Sequence, residues 1–168
     1  LDIGANNGYY SIKFSEVYQY IDVIAFEPNK EAYFKFKKTL EKNQDLYKRI
    51  TLYDFGLSDK NSKEEMRSKV KYGYAQTGGS TIHDGKKFDD IKIYEANFKV
   101  GDQIINIINS NLIIKIDVEG HELNVLKGLK KIINQNNCIL QIEILKNFEI
   151  TNKFLLENKF NKEDTDVY

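Results

Sequence analysis

A single cysteine, a single proline and no surplus charge mark this 168-residue sequence. Cys138 alone excludes an internal disulfide. At the head of the apolar run 138–145 it reads as a small buried hydrophobe, and that usage fits a reducing cytoplasm. Lys plus Arg equal Asp plus Glu at 25 each, so no net field gathers a polyanion. No basic stripe with interleaved aromatics is present either, which sets nucleic acid aside as a partner. No apolar run reaches the roughly 20 residues that span a bilayer, and no basic segment followed by an apolar core opens the chain. Neither a membrane span nor an export signal is expected. The length is that of one domain able to bury one core. The wealth of Asn, Lys and Ile carries no functional reading.

Four short apolar runs punctuate the chain at 22–27, 50–57, 112–118 and 138–145, each reading as a strand buried on both faces. Helical periodicity fills the gaps. Tyr33, Phe36, Lys37 and Leu40 recur on one face with Asn29 as N-cap, Lys37 laying its stem along the core. Leu123, Leu126, Leu129 and Ile133 repeat likewise in a helix over 120–137, with Gly128 as a weak point, and 147–160 is helical again. This alternation predicts an α/β fold with a mostly parallel twisted sheet and helices on both faces. Ligands in such sheets sit beyond the carboxyl ends of the strands. The polar, loop-rich segment 59–100 breaks the rhythm. It is too long to be structureless, and 91–98 is its candidate strand.

The strand ends carry the chemistry. After the first, "DIGANNG" places Asp2, Gly4, Asn6 and Gly8 in a turn where a backbone approaches a ligand closely. Asn6 suits a left-handed position. A dinucleotide fingerprint would need glycines where Asn6 and Tyr9 stand, and no Lys-Ser or Lys-Thr pair follows Gly8, so neither phosphate-binding motif is present. Asp2 repels a pyrophosphate and suits an ammonium. Glu27, before Pro28 at the second strand end, stands where an acid takes ribose hydroxyls. Beyond the run 112–118 cluster Asp117, Glu119, His121 and Glu122. His121 has the ordinary pKa of a general base, and Asp117 or Glu119 could serve instead or orient the ligands. As first-turn helix residues, His121 and Glu122 need no chemical role. The spacing matches no metal pattern, so no metal is expected. Glu143 interrupts its apolar run and calls for a place near the ligand end or a partner.

"DIGANNG", "FEP", "GLSD", "GGST" and "IDVEGHE", in this order, resemble the FkbM-like family of S-adenosylmethionine-dependent methyltransferases, whose characterised members methylate hydroxyls of sugars and secondary metabolites. The resemblance covers nearly the whole chain. It implies a Rossmann-like class I methyltransferase fold, seven-stranded with an antiparallel last strand. It also implies S-adenosyl-L-methionine as cofactor and a small-molecule or glycan hydroxyl as acceptor. On this match Gly4, Ala5, Asn6 and Gly8 would pack against the methionine part, Asp2 would face its amino group, and Glu27 with Pro28 its ribose. Gly56 and Leu57 would border the adenine. Asp117, Glu119 and His121 would be catalytic. Apart from the resemblance, Tyr72, Tyr74, Gly78, Gly79, Ser80, Thr81 and His83 could form a polar, aromatic wall for a sugar, and equally describe an ordinary loop. Residues 1–168 read as a single domain cut at both ends. The alternative is a non-catalytic nucleoside- or cofactor-binding module of the same fold.

Overall fold

The structure is a computed structural model in which residues 1–71, 74–75, 77–82 and 91–161 are described. The chain enters as β1 (Asp2–Ile3), turns into α1 (Tyr9–Val17) and returns as β2 (Val23–Phe26). Next, α2 (Lys30–Lys42) and the short α3 (Gln44–Tyr47) lead to β3 (Ile50–Tyr53). A second sheet is built from β4 (Gly56–Ser58), β5 (Ser62–Lys71), β6 (Tyr74–Ala75), β7 (Thr81–Ile82) and β8 (Ile91–Val100). The remaining elements are α4 (Gly101–Ile104), β9 (Asn111–Ile116), α5 (Glu122–Gly128), α6 (Lys130–Gln135), β10 (Asn137–Ile142) and α7 (Phe148–Glu157).

The main sheet runs β10-β9-β1-β2-β3 with every pairing parallel, the Rossmann-like α/β arrangement that the strand–helix rhythm predicts. From β1 the chain builds outward to β2 and β3 on one side, and later to β9 and β10 on the other. The order therefore reverses between β1 and β9, and a crevice opens at their carboxyl ends. On one face, Phe36 and Leu40 of α2 pack on Val23, Ala25 and Ile50. On the other, Val125, Leu126, Leu129 and Ile132 cover Ile3, Phe26, Ile114 and Ile116. Phe26, Ile114 and Ile116 are fully buried, each such side chain contributing about 1.5–3 kcal/mol of apolar burial.

Several sequence expectations need correction. The run 50–57 is two strands, because Phe55 turns into the main core beside Phe26 and Tyr53 while Gly56 and Leu57 leave to pair with β8. The buried stripe of α2 is Ala32, Phe36 and Leu40, four residues apart, and Lys37 is exposed. The helix over 120–137 is α5 and α6, broken at Leu129. There Gly128 rides so close to β4 that a Cβ would lie 2.0 Å from the Ser58 carbonyl oxygen. Leu123 is only half-buried, whereas Glu122 is buried. The run 138–145 is not covered on both faces: Ile139 is 69% exposed, as is much of its neighbour Ile113, and Cys138 is half-buried. Glu143 does lie at the ligand end of the sheet, as expected, just past β10, where it is exposed. The segment 59–100 holds the antiparallel pair β5 and β8, in register from Ser62 opposite Phe98 to Lys69 opposite Ile91.

Candidate active site

The glycine turn is clamped from two directions. The Gly4 and Ala5 amides both donate to the Phe26 carbonyl, at 3.0 and 3.1 Å. Gly4 has φ +82°, and a Cβ there would lie 1.9 Å from the Asp117 carbonyl oxygen, so only glycine lets β1 and β9 hand over side by side. Asn6 takes the left-handed conformation at φ 50°. Gly8 does the same at φ +83°, with the Phe36 ring against its α-carbon. Ala5 is buried in the α2-side core. Asp2 lies behind the turn, buried, its Oδ2 accepting the Ser11 hydroxyl at 2.6 Å; its Oδ1 has no hydrogen-bond partner among the described residues.

Glu27 is buried at the second strand end, and both its oxygens are held by backbone amides. Asn6 N donates to Oε2 and Asn29 N to Oε1, each at 2.7 Å. Burial pushes its carboxyl up to about 7; the two amides pull the other way, and the Asp2 and Asp117 charges add to the rise. Asn29 also caps α2 as expected, its Oδ1 accepting from Glu31 N and Ala32 N.

Across the crevice, the three residues beyond β9 have different surroundings. Asp117 Oδ2 accepts from Lys115 Nζ at 2.9 Å, and the Lys115 ammonium, buried, also faces the Tyr10 ring at 4.7 Å. Glu119 sits at φ 55°, a conformation few non-glycine residues adopt. Its carbonyl accepts the Thr81 hydroxyl at 2.9 Å, and its carboxylate faces Gly79, where a Cβ would come within 3.9 Å of Oε1. Burial raises its pKa, the Asp117 and Glu143 charges push the same way, and the Gly79 amide opposes them. The Gly120 amide donates to buried Glu122 Oε1 at 2.6 Å, which turns the chain into α5. His121 Nε2 lies 3.0 Å from Ser58 Oγ. Ser58 Oγ also lies 3.2 Å from Asp59 Oδ1, so its one proton goes to the carboxylate or to the imidazole according to the His121 tautomer. Burial lowers the His121 pKa, with Asp59 and Glu64 opposing.

One open cavity is lined by nine of the twelve residues expected to hold cofactor or do chemistry: Gly4, Asn6, Glu27, Pro28, Gly56, Leu57, Asp117, Glu119 and His121. Asp2, Ala5 and Gly8 shape the turn from behind and do not line it. Gly78, Gly79 and Ser80 close the opposite wall. Tyr72 and His83 lie outside the described residues, as does the Tyr74 side chain. The sequence reading missed Met66, Ile82 and Phe98, which add apolar lining, and Lys115. Lys115 had a signal: it is a lone charge in an apolar strand two residues before Asp117, hence on the same face. Three carboxylates and no lysine or arginine stand among the described lining residues. No group of three or more His, Cys, Asp or Glu is placed to hold a metal among the described residues, and no described helix is long and apolar enough to cross a membrane.

The sequence model of the methyltransferase FkbM domain matches residues 2–162. The chain belongs to the FkbM methyltransferase family. Among solved structures, this FkbM domain is similar to the crystal structure of methyltransferase FkbM from Methylobacillus flagellatus KT, with a TM-score of 0.64 and 21% identity over 92% of the present chain. The FkbM domain described here spans 36% of that protein's chain, and a likeness at that identity is one of fold. No curated protein matches the sequence.

Proposed function

We propose that this FkbM domain is an S-adenosyl-L-methionine-dependent O-methyltransferase acting on a hydroxyl of a sugar, glycan or secondary metabolite. The observation that carries the reading is the charge of the cavity. Its described lining carries Glu27, Asp117 and Glu119 and no lysine or arginine; Lys115, outside the lining, is spent on Asp117, so Glu27 and Glu119 face the cavity without a cationic partner. Such a wall repels a pyrophosphate and favours a ligand carrying sulfonium and ammonium charges. The residues fit the cofactor in two further respects. Both oxygens of Glu27 are pinned by amides and keep lone pairs for ribose hydroxyls, and Gly4 and Asn6 bring the turn to the cavity wall. Leu57, Phe98 and Met66 supply apolar surface for a purine.

Gly4, Asn6, Glu27 and Pro28 would hold the cofactor, with Gly56 and Leu57 at its base; Asp2, Ala5 and Gly8 fix the turn. Bound there, S-adenosyl-L-methionine supplies an electrophilic methyl group. The chain's own part is alignment and proton removal. Alignment of reacting groups is worth on the order of 7–11 kcal/mol. For the base, Glu119 is the strongest of the three candidates. Asp117 is committed to Lys115, and His121 is turned toward Ser58. Glu119 lines the cavity with a carboxylate whose pKa is raised toward that of a useful base. Asp117, ion-paired and fixed, orients the acceptor, and His121 braces the wall against Ser58 and Phe98.

Calorimetric titration tests the reading directly. S-adenosylhomocysteine should bind and NAD should not; binding of NAD alone rejects the proposal. Binding of S-adenosylhomocysteine without methyl transfer to a panel of hydroxylated glycosides would favour the binding-module alternative.

A further inference from the structure

We propose that the turn 77–82 is a clasp joining the cofactor wall to the acceptor wall, with Ser80 positioning Asn29 and Thr81 positioning Glu119. The effect on rate rests on the methyltransferase reading; the clasp itself does not.

On the cofactor side the clasp meets a buried junction. Asn29 is 3% exposed, and its backbone amide already holds Glu27 while its Oδ1 caps α2. Its side-chain amide Nδ2 donates among three hydroxyls, Tyr94 at 3.0 Å, Ser80 at 3.2 Å and Ser68 at 3.4 Å. Ser68, itself 1% exposed, lies 2.6 Å from Ser80 Oγ, which donates to the Thr77 carbonyl at 3.1 Å. A buried amide must keep its acceptors, so Ser80 and Asn29 hold each other in place. Any shift of Asn29 reaches Glu27 through the 2.7 Å backbone bond.

On the acceptor side the geometry is as definite. Thr81 is fixed by strand pairing, opposite Arg67 of β5, so its hydroxyl has a set position. That hydroxyl donates to the carbonyl of Glu119, a residue with a Cβ in the left-handed conformation. Such a conformation is disfavoured for an L-residue other than glycine or asparagine and persists only where neighbours impose it. Gly79 of the clasp also borders the Glu119 carboxylate, a Cβ there coming within 3.9 Å of Oε1. Without the Thr81 hydroxyl, the Glu119 backbone loses its hydrogen bond to the clasp and its carboxylate leaves the cavity wall.

The two ends of the clasp therefore affect different constants. In the full chain, Thr81→Val should lower kcat for methyl transfer at least tenfold and leave the Kd for S-adenosylhomocysteine within threefold. Thr81→Ser, which keeps the hydroxyl, should restore kcat to within threefold. Ser80→Ala should instead weaken S-adenosylhomocysteine binding about threefold to tenfold. Hydrogen exchange supplies a readout free of any ligand: amides at 119–121 should exchange at least tenfold faster in Thr81→Val than in the native chain or Thr81→Ser, with those of β9 unchanged. Unchanged exchange at 119–121 in Thr81→Val overturns the clasp, as does an equal loss of kcat in the Val and Ser variants. A native chain that fails to bind S-adenosylhomocysteine overturns the methyltransferase reading instead, and the exchange comparison still decides on the clasp.

Discussion

Asn6 and Glu27, twenty-one residues apart, are joined by a 2.7 Å hydrogen bond from the Asn6 amide to Glu27 Oε2, which locks the glycine turn onto the end of β2. The same carboxyl is raised from 4.5 to about 7, chiefly by burial. A carboxylate accepts two ribose hydroxyl bonds and a protonated carboxyl does not, so nucleoside binding must expel the proton below that pH. Affinity for S-adenosylhomocysteine should fall as pH drops below 7, by up to about tenfold per unit. Glu27→Gln should bind weakly at every pH and flatten the profile. Calorimetry in two buffers of different ionisation enthalpy would detect the released proton. Without ligand the sign is opposite. Between 4.5 and 7 the folded chain holds a proton that the unfolded chain has lost, so the Glu27 contribution to stability declines as pH rises through that window, on the order of 3 kcal/mol in total.

Lys115 and Asp117 form a pair in which the lysine is buried and the aspartate a third exposed. Lys115→Met should cost about 1–3 kcal/mol, below the range for fully buried pairs, because Asp117 keeps part of its hydration. Adding Asp117→Asn should recover most of that loss. Urea denaturation of the two single variants and the double variant measures the coupling; additive losses would show that the pair contributes nothing.

Gly4→Ala should be among the most damaging small substitutions in the chain. Its methyl would meet the Asp117 carbonyl oxygen at 1.9 Å on a backbone at φ +82°, so β1 and β9 would have to part. A loss of about 3 kcal/mol or more is expected, with Asn7→Ala, at an exposed position of the same turn, within about 0.5 kcal/mol of native. Thermal melts of the two variants make the comparison.

Separate substitutions distinguish the three residues beyond β9. Glu119→Gln should lower methyl transfer about 100-fold or more with S-adenosylhomocysteine affinity unchanged, the scale of a lost general base. His121→Ala should cost less than about tenfold, since its ring faces Ser58 and Phe98. A larger loss at His121 than at Glu119 in steady-state assays would move the base to His121.

Much of the main sheet was legible because its strands are apolar runs and its helices keep a 3.6-residue stripe. The order of motifs gave the family, and nine of the named residues do converge on one cavity. What stayed hidden depends on long-range contacts. Nothing local in 50–57 tells that Phe55 belongs to one sheet's core and Gly56 to another sheet. The break at Leu129 follows from the approach of Gly128 to Ser58, seventy residues earlier in the chain. Polar strands such as β5 lack the hydrophobic signal, since among its described side chains only Met66 and Ser68 are buried, and residues such as Lys63 make surface ion pairs. The different surroundings of Asp117 and Glu119, two residues apart, rest on Lys115 for one and on Thr81 for the other.

The left-handed positions at Gly4, Asn6, Gly8, Glu119 and Gly120 all fall in the two turns that face the crevice. Sequence drift is therefore limited there by backbone shape before any chemistry is considered, since most replacements at these sites would strain the chain itself. Apart from Ser68, Thr81 and Tyr94, divergence has a freer route through β5, β7 and β8, whose ordinary strand backbone accepts almost any side chain that fits. In a lineage of such domains, the crevice turns would change slowly and the second sheet would absorb most of the variation.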